Sequence, residues 1–105
     1  MNWQYISRFQ QLSEPFIEKH IDKVDWGEIS FHQKLSEPFI EKYKDKVDWL
    51  SIAIRQKLSE KFMEKYKDKL DFDILYHYQK LSKDFIRKHK NRFMAEVVRS
   101  QIKNI

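Results

Sequence analysis

A period of 23 residues constrains this chain more than any other feature it has. Residues 48–70, DWLSIAIRQKLSEKFMEKYKDKL, restate residues 25–47, DWGEISFHQKLSEPFIEKYKDKV, and the frame extends back over 2–24 and forward over 71–93. Four tandem copies therefore fill nearly all of the 105 residues. A unit of that length cannot bury its apolar face alone, so copies must stack on one another.

Each copy reads as two short helices, A and B. Asn2, Asp25, Asp48 and Asp71 stand where helix A would start, and Ser13, Ser36, Ser59 and Ser82 where helix B would start; these residue types cap helix N-termini. Glu28, three residues after Asp25, completes the pattern of a reciprocal capping box. Pro15 and Pro38 fall in the first turn of helix B, where proline costs no helical hydrogen bond. Trp26, Ile29, Ser30 and Gln33 share one side of helix A at 100° per residue, and Phe39, Ile40, Tyr43 and Val47 form a similar stripe on helix B. Helices of about 8 to 11 residues are unstable alone. The expected fold is all-α, a short α-solenoid of four two-helix repeats forming a single domain over residues 1–105. A coiled coil is disfavoured, because the apolar spacing restarts at each cap and 23 is not a multiple of seven. Past Phe93 the frame decays, and Met94, Val97, Val98, Ile102 and Ile105 suggest a capping helix over 94–105.

The frame D-W-x-x-I-S-x-x-Q-K-L-S-E-x-F-I-E-K, as in residues 25–42, resembles a short tandem repeat of largely uncharacterised proteins of bacteriophages and large DNA viruses. The resemblance covers residues 2–93, and copy four departs most, with Phe72, Lys83-Asp84 and Asn91 at frame positions. It implies origin and architecture and brings no catalytic residues. A role directed at a host, such as blocking a defence enzyme, is what it suggests, and a cytoplasmic location in the host cell would follow.

The residues argue against enzyme chemistry. Gly27 is the sole glycine, there is no cysteine, and no phosphate loop, nucleophile elbow or HExxH stretch occurs. The acidic residues recur once per copy, as caps and solvated faces would. His20 and His89 occupy the slot of Tyr43 and Tyr66 and read as packing residues; His32 and His77 have no second histidine at helical spacing, so neither a metal nor another cofactor is expected. Gln10, Gln33, Gln56 and Gln79 recur once per copy and suit a structural role, hydrogen-bonding a helix end beneath the A–B turn. No apolar run is long enough to span a membrane, and Met1 leads straight into the first copy, which reads as a chain without a signal peptide or membrane partner.

Candidate binding residues are the ones that vary between copies. On helix A the third, fourth, seventh and eighth positions lie opposite the core stripe. Tyr5, Phe9, Phe31, His32, Leu50, Ile54, Arg55, Ile74, His77 and Tyr78 fall there and make a face more apolar than solvation requires. Either this face docks on a protein partner, or tight curvature of the stack buries part of it as a second core layer. Charge supplies a second candidate. Residues 1–75 carry 13 Lys/Arg against 14 Asp/Glu, whereas residues 76–105 carry 8 against 2. Arg87, Lys88, Lys90, Arg92, Arg99 and Lys103 could track nucleic-acid phosphates, with His77 or Tyr78 stacking on bases. A third reading is self-association through Tyr5 and Phe9 of a first copy that has no N-terminal cap.

Overall fold

The computed structural model describes residues 1–94, and the expected cap over 94–105, with Arg99 and Lys103, lies outside the described residues apart from Met94. The fold is all-α and a short helical repeat. Helix A of the successive copies is α1 (Trp3–Phe9), α3 (Trp26–His32), α5 (Trp49–Arg55) and α7 (Phe72–Tyr78). Helix B is α2 (Glu14–Lys19), α4 (Glu37–Lys42), α6 (Glu60–Lys65) and α8 (Lys83–Lys88), followed by a 3₁₀ turn at Lys90–Arg92. Two compact units divide the chain, Met1–Gln56 and Lys57–Ile105. The division falls inside copy three, between its A and B helices.

All eight expected N-caps stand where the residue types place them. Asn2, Asp25 and Asp71 accept backbone N–H bonds at the start of helix A, and Ser13, Ser36, Ser59 and Ser82 do so at helix B. Asp48 is the exception: its carboxylate accepts from the Ser51 hydroxyl at 2.6 Å instead. The helices are shorter than expected, 7 residues for A and 6 for B. Helix A stops because its ninth position, Gln10, Gln33, Gln56 or Gln79, is in extended conformation. That turns the chain toward the serine cap three residues on.

Two sequence expectations need correction. The capping box is half made: Asp25 accepts the Glu28 N–H at 3.1 Å, but the Asp25 N–H goes to the Ser7 hydroxyl of the preceding copy at 3.0 Å. Asp48 N–H is held likewise by Ser30 Oγ at 3.0 Å. Ser7 and Ser30, fully buried, thus tie one copy to the next. The tryptophans are also not core residues in the full sense. Trp26 and Trp49 are half-buried and donate their indole N–H to the carbonyls of Ile21 and Lys44, at 3.0 and 2.9 Å. The large side chains that are fully enclosed are instead mostly branched aliphatics, Ile29, Ile52 and Leu75 on helix A and Ile17, Ile40 and Ile86 on helix B, with Met63 in the same slot of copy three. A branched aliphatic fills the space between two helices without a polar atom to satisfy.

In residues 1–56, α1 packs on α3 and α3 on α5. The recurring glutamine holds each step. Gln33 Nε2 donates to the Ser7 and Gln10 carbonyls at 2.8 and 2.6 Å, and its Oε1 accepts the Leu12 N–H at 2.9 Å. Gln56 does the same one copy later, to Ser30 and Gln33 carbonyls and from Leu35 N–H. Gln33 and Gln56 therefore satisfy the orphan groups of the preceding A–B turn, the structural role the periodicity implied; Gln10, in the first copy, is exposed. On the B side the first glutamate of the frame reaches the next serine cap: Glu14 accepts both the N–H and the hydroxyl of Ser36. In residues 57–94 Glu60 repeats this with Ser82 and Gln79 accepts the Leu58 N–H.

Candidate interaction surface

Because helices α3 and α5 bury their fifth, sixth and ninth positions and half-bury the tryptophan at the second, the remaining ones face outward to different depths. In residues 1–56, Tyr5 and Phe9 are 55% and 62% exposed, and Leu50, His32 and Arg55 are also exposed. Phe31 and Ile54 are half-buried, and Ser51, at the position equivalent to Tyr5, is buried. The face is thus exposed at the third and eighth positions of all three helices, whereas the fourth and seventh are open in α1 and covered to different degrees in α3 and α5.

Side chains from successive A helices meet on this face. The Tyr5 and Phe9 rings lie 4.9 Å apart, and the Arg8 guanidinium sits 5.0 Å from the Phe9 centroid. Arg8 approaches Glu28 of the next copy at 3.9 Å, and Glu28 approaches His32 at 3.4 Å. Phe31 packs edge-on against His32 and carries the Arg55 guanidinium of the following copy 4.7 Å above its ring. Cation–π contacts at such exposure contribute about 0.5–1 kcal/mol each. At the edge of the strip a pocket of about 450 Å³ opens between Phe9 and His32, bordered by Arg8, Gln11 and Lys34. Arg8 and Lys34 were not among the expected binding residues. Arg8 was readable as a variable helix-A position, whereas Lys34 belongs to the Q-K-L turn and carries no such signal.

In residues 57–94, α7 presents Tyr78, exposed, with His77 beside it, while Ile74 is half-buried. His77 packs against Tyr76 with ring centroids 5.6 Å apart. The histidines in the tyrosine slot pack as expected: His89 is buried against Phe72 and Phe85, and His20 lies against Trp3 and Phe16.

The basic residues of copy four are largely engaged. Arg87 pairs with Asp84 at 3.5 Å, Lys88 with Glu64 at 2.8 Å, and Arg92 with Asp68 at 3.0 Å. Lys90 is exposed in the 3₁₀ turn. Arg92 has a structural task besides. Phe72 stands at the tryptophan position and has no indole N–H, so the Lys67 carbonyl, equivalent to Ile21 and Lys44, would lack its donor. Arg92 supplies it, donating from Nη1 at 3.2 Å while its guanidinium lies 5.6 Å from the Phe72 centroid. The frame has lysine at this position in the other copies, Lys23, Lys46 and Lys69. The Lys-to-Arg and Trp-to-Phe changes are thus one compensating pair.

Glu18 and Glu64 on the B helices each meet two side chains of the following copy. Glu18 accepts from Lys42 Nζ at 2.6 Å and from the Tyr43 hydroxyl. These bonds, that from Lys42 foremost, hold the Glu18 carboxyl below its ordinary range, and the bond to Glu18 pushes the Tyr43 phenol up. Lys88 lowers the Glu64 carboxyl in the same manner. Among the described residues, no group of three or more histidine, aspartate or glutamate side chains is placed to hold a metal ion, and no helix is long and apolar enough to cross a membrane. Comparison with protein-family models, with curated proteins and with solved structures finds no match to this chain.

Proposed function

We propose that the protein is a non-enzymatic interaction module that docks on a protein partner through the outer face of its A helices. One observation carries this reading: three aromatic rings (Tyr5, Phe9, Phe31) and two guanidinium groups (Arg8, Arg55) from three successive A helices line one strip, with a pocket at its edge. Aromatic residues and arginine are the types enriched where proteins bind one another, and few of them carry most of the energy. The phage and viral resemblance of the repeat makes a host protein, such as a defence factor, the class of partner to look for.

Phe9 and Tyr5 test the reading best, because they are the most exposed aromatics of the strip. The partner is captured from host lysate with the unaltered chain, purified, and titrated against Phe9→Asp and Tyr5→Asp. Each substitution should weaken binding by about 2 kcal/mol or more and shift stability by no more than about 0.5 kcal/mol. Unchanged affinity in both variants would sink the assignment of the surface. A second reading, nucleic-acid binding, draws on the charge of residues 57–94, which hold 11 Lys/Arg against 6 Asp/Glu. It requires affinity that falls steeply with salt, with a log–log slope of about −0.9 per phosphate contacted on duplex DNA. The ion pairs of Arg87, Lys88 and Arg92 leave Lys90 as the cleaner position for charge reversal.

A further inference from the structure

The pocket at the edge of the helix-A strip is bordered by charges of one sign. It opens between the ends of α1 and α3 and the turns that follow them, with Arg8, Phe9, Gln11, Leu12, His32 and Lys34 on its border. Among the described residues, none that borders it is acidic. Residues 1–56 as a whole carry 8 Lys/Arg against 9 Asp/Glu, so the pocket departs from the balance of its unit. Helices α1, α3 and α5 hold one acidic residue, Glu28, whereas Glu14 and Glu18 are bonded to copy two on the B side. Glu28 is half-buried, 3.4 Å from His32 Nε2 and 3.9 Å from Arg8 Nε, the latter beyond hydrogen-bond reach. Among the described residues, neither the Arg8 guanidinium nor Lys34 Nζ has a hydrogen-bonded acceptor. Arg8 and Lys34 together outweigh Glu28 and leave the pocket a positive field. The opening does not depend on the place of α1 in the chain. The eighth helix-A position, Phe9 here, is exposed also in α3 and α5, each of which packs on a preceding copy.

We infer that this pocket receives the carboxylate of an aspartate or glutamate side chain of the docked protein. The inference rests on the reading of the strip as a protein-docking surface and names what the partner presents at its edge. A guanidinium offers a carboxylate paired N–H donors in one plane, and a lysine ammonium adds a compact charge. Arg8 supplies the first from α1 and Lys34 the second from the turn after α3, with the Gln11 amide as a neutral donor between turns. Phe9 lies 5.0 Å from the Arg8 guanidinium and, with Leu12, gives the carbon stem of an acidic side chain an apolar wall. This mixture of rings and cations favours a protein side chain over a nucleic-acid backbone. Tracking phosphates takes a row of free cations, and in the next copy the strip offers Arg55, which already lies over the Phe31 ring.

The probe is the blocked tripeptide acetyl-Phe-Glu-Leu-amide, whose one charge is a side-chain carboxylate, titrated into the full chain labelled for NMR. Saturable binding in the millimolar range is expected, with shifts centred on Phe9, Gln11, His32 and Lys34. The glutamine analogue should bind at least about fivefold more weakly, since a carboxylate accepts stronger hydrogen bonds than an amide. In the chain carrying Arg8→Glu and Lys34→Glu the original peptide should bind at least about tenfold more weakly. Acetyl-Phe-Lys-Leu-amide should bind there instead, a reversal that unfolding does not produce. Three outcomes would overturn the inference: no saturation with millimolar peptide, equal binding of the glutamate and glutamine peptides, or shifts centred away from the pocket. Tighter binding of inorganic phosphate at the same residues would do so too, by making a phosphate the occupant. Tyr5 does not border the pocket, so the two readings fail separately. A partner weakened by Tyr5→Asp but indifferent to the double charge reversal keeps the strip and removes the carboxylate pocket. Peptide bound as expected beside a partner indifferent to Tyr5→Asp and Phe9→Asp removes the strip.

Discussion

Residues 1–56 and 57–94 use the same repeat frame to different ends. The first unit keeps the frame nearly intact: tryptophan donates to a carbonyl five residues back, tyrosine and lysine share one glutamate, and serine hydroxyls hold the next cap. With 8 Lys/Arg against 9 Asp/Glu it is close to neutral, and it displays aromatic rings. The second unit departs at several nodes and compensates at some of them. Arg92 replaces the missing indole donor, His89 stands 3.6 Å from Glu64 in the tyrosine slot, and Asp73 accepts the Met94 N–H where Ser7 and Ser30 serve copies one and two. A repeated scaffold tolerates changed residues as long as each backbone group keeps a partner.

The enclosed aliphatics provide the largest test of that comparison. Ile40→Ala in the first unit and Ile86→Ala in the second should each cost about 2–5 kcal/mol, because both side chains are sealed at the same position of helix B. Urea melts that differ widely between the two would show that the frame does not support both units alike. Next comes the glutamine tie. Gln33→Ala leaves the Ser7 and Gln10 carbonyls and the Leu12 N–H without their partner and should cost about 1–3 kcal/mol. Gln10→Ala, at the same frame position but exposed, should stay within about 0.5 kcal/mol. Smaller still is the mended node: Arg92→Ala should cost about 0.5–1.5 kcal/mol, the scale of one hydrogen bond. Lys23→Ala at the equivalent position should be near neutral. Restoring the indole with Phe72→Trp should shrink the Arg92→Ala effect in a double-mutant cycle.

The smallest expected difference is one of pH. Glu18 and Glu64 titrate below the ordinary carboxylate range in the folded chain. Their contribution is present above the unfolded pKa and is lost as pH falls through the lowered folded value, in both units. On the alkaline side residues 1–56 add a second dependence. Tyr43 and Lys42 are raised by their bonds to Glu18, so their share is present below the unfolded values and disappears as pH rises through the folded ones. Side-chain NMR titration should show the tyrosine displacement vanish in Glu18→Gln. A Tyr43 titration unmoved by that change would remove Glu18 as its cause.

Much of the fold was legible beforehand and less of the surface. The caps at Asn2, Asp25 and Ser36 and the prolines at 15 and 38 follow from bonds spanning three or four residues, which any reading of local sequence contains. The variable face was also legible as a set of positions, because period and helix geometry assign sides. How deep each position lies was not: Ser51 is buried and Tyr5 exposed at one frame position, since depth depends on what the neighbouring copy places over it.

By itself, then, the sequence determined the period, the helix starts, the aliphatic stripe and the structural duty of the glutamines. Each depends on chain-local geometry or on a residue type recurring at a set interval. Only the tertiary structure decided the partners across 18 to 26 residues: Ser7 rather than Glu28 for the Asp25 N–H, Glu14 for Ser36, and Gln33 for the Leu12 turn. Those pairings depend on the offset between stacked copies, which no single copy encodes. The same offset set Trp26 half out of the core and drew Arg92 over Phe72.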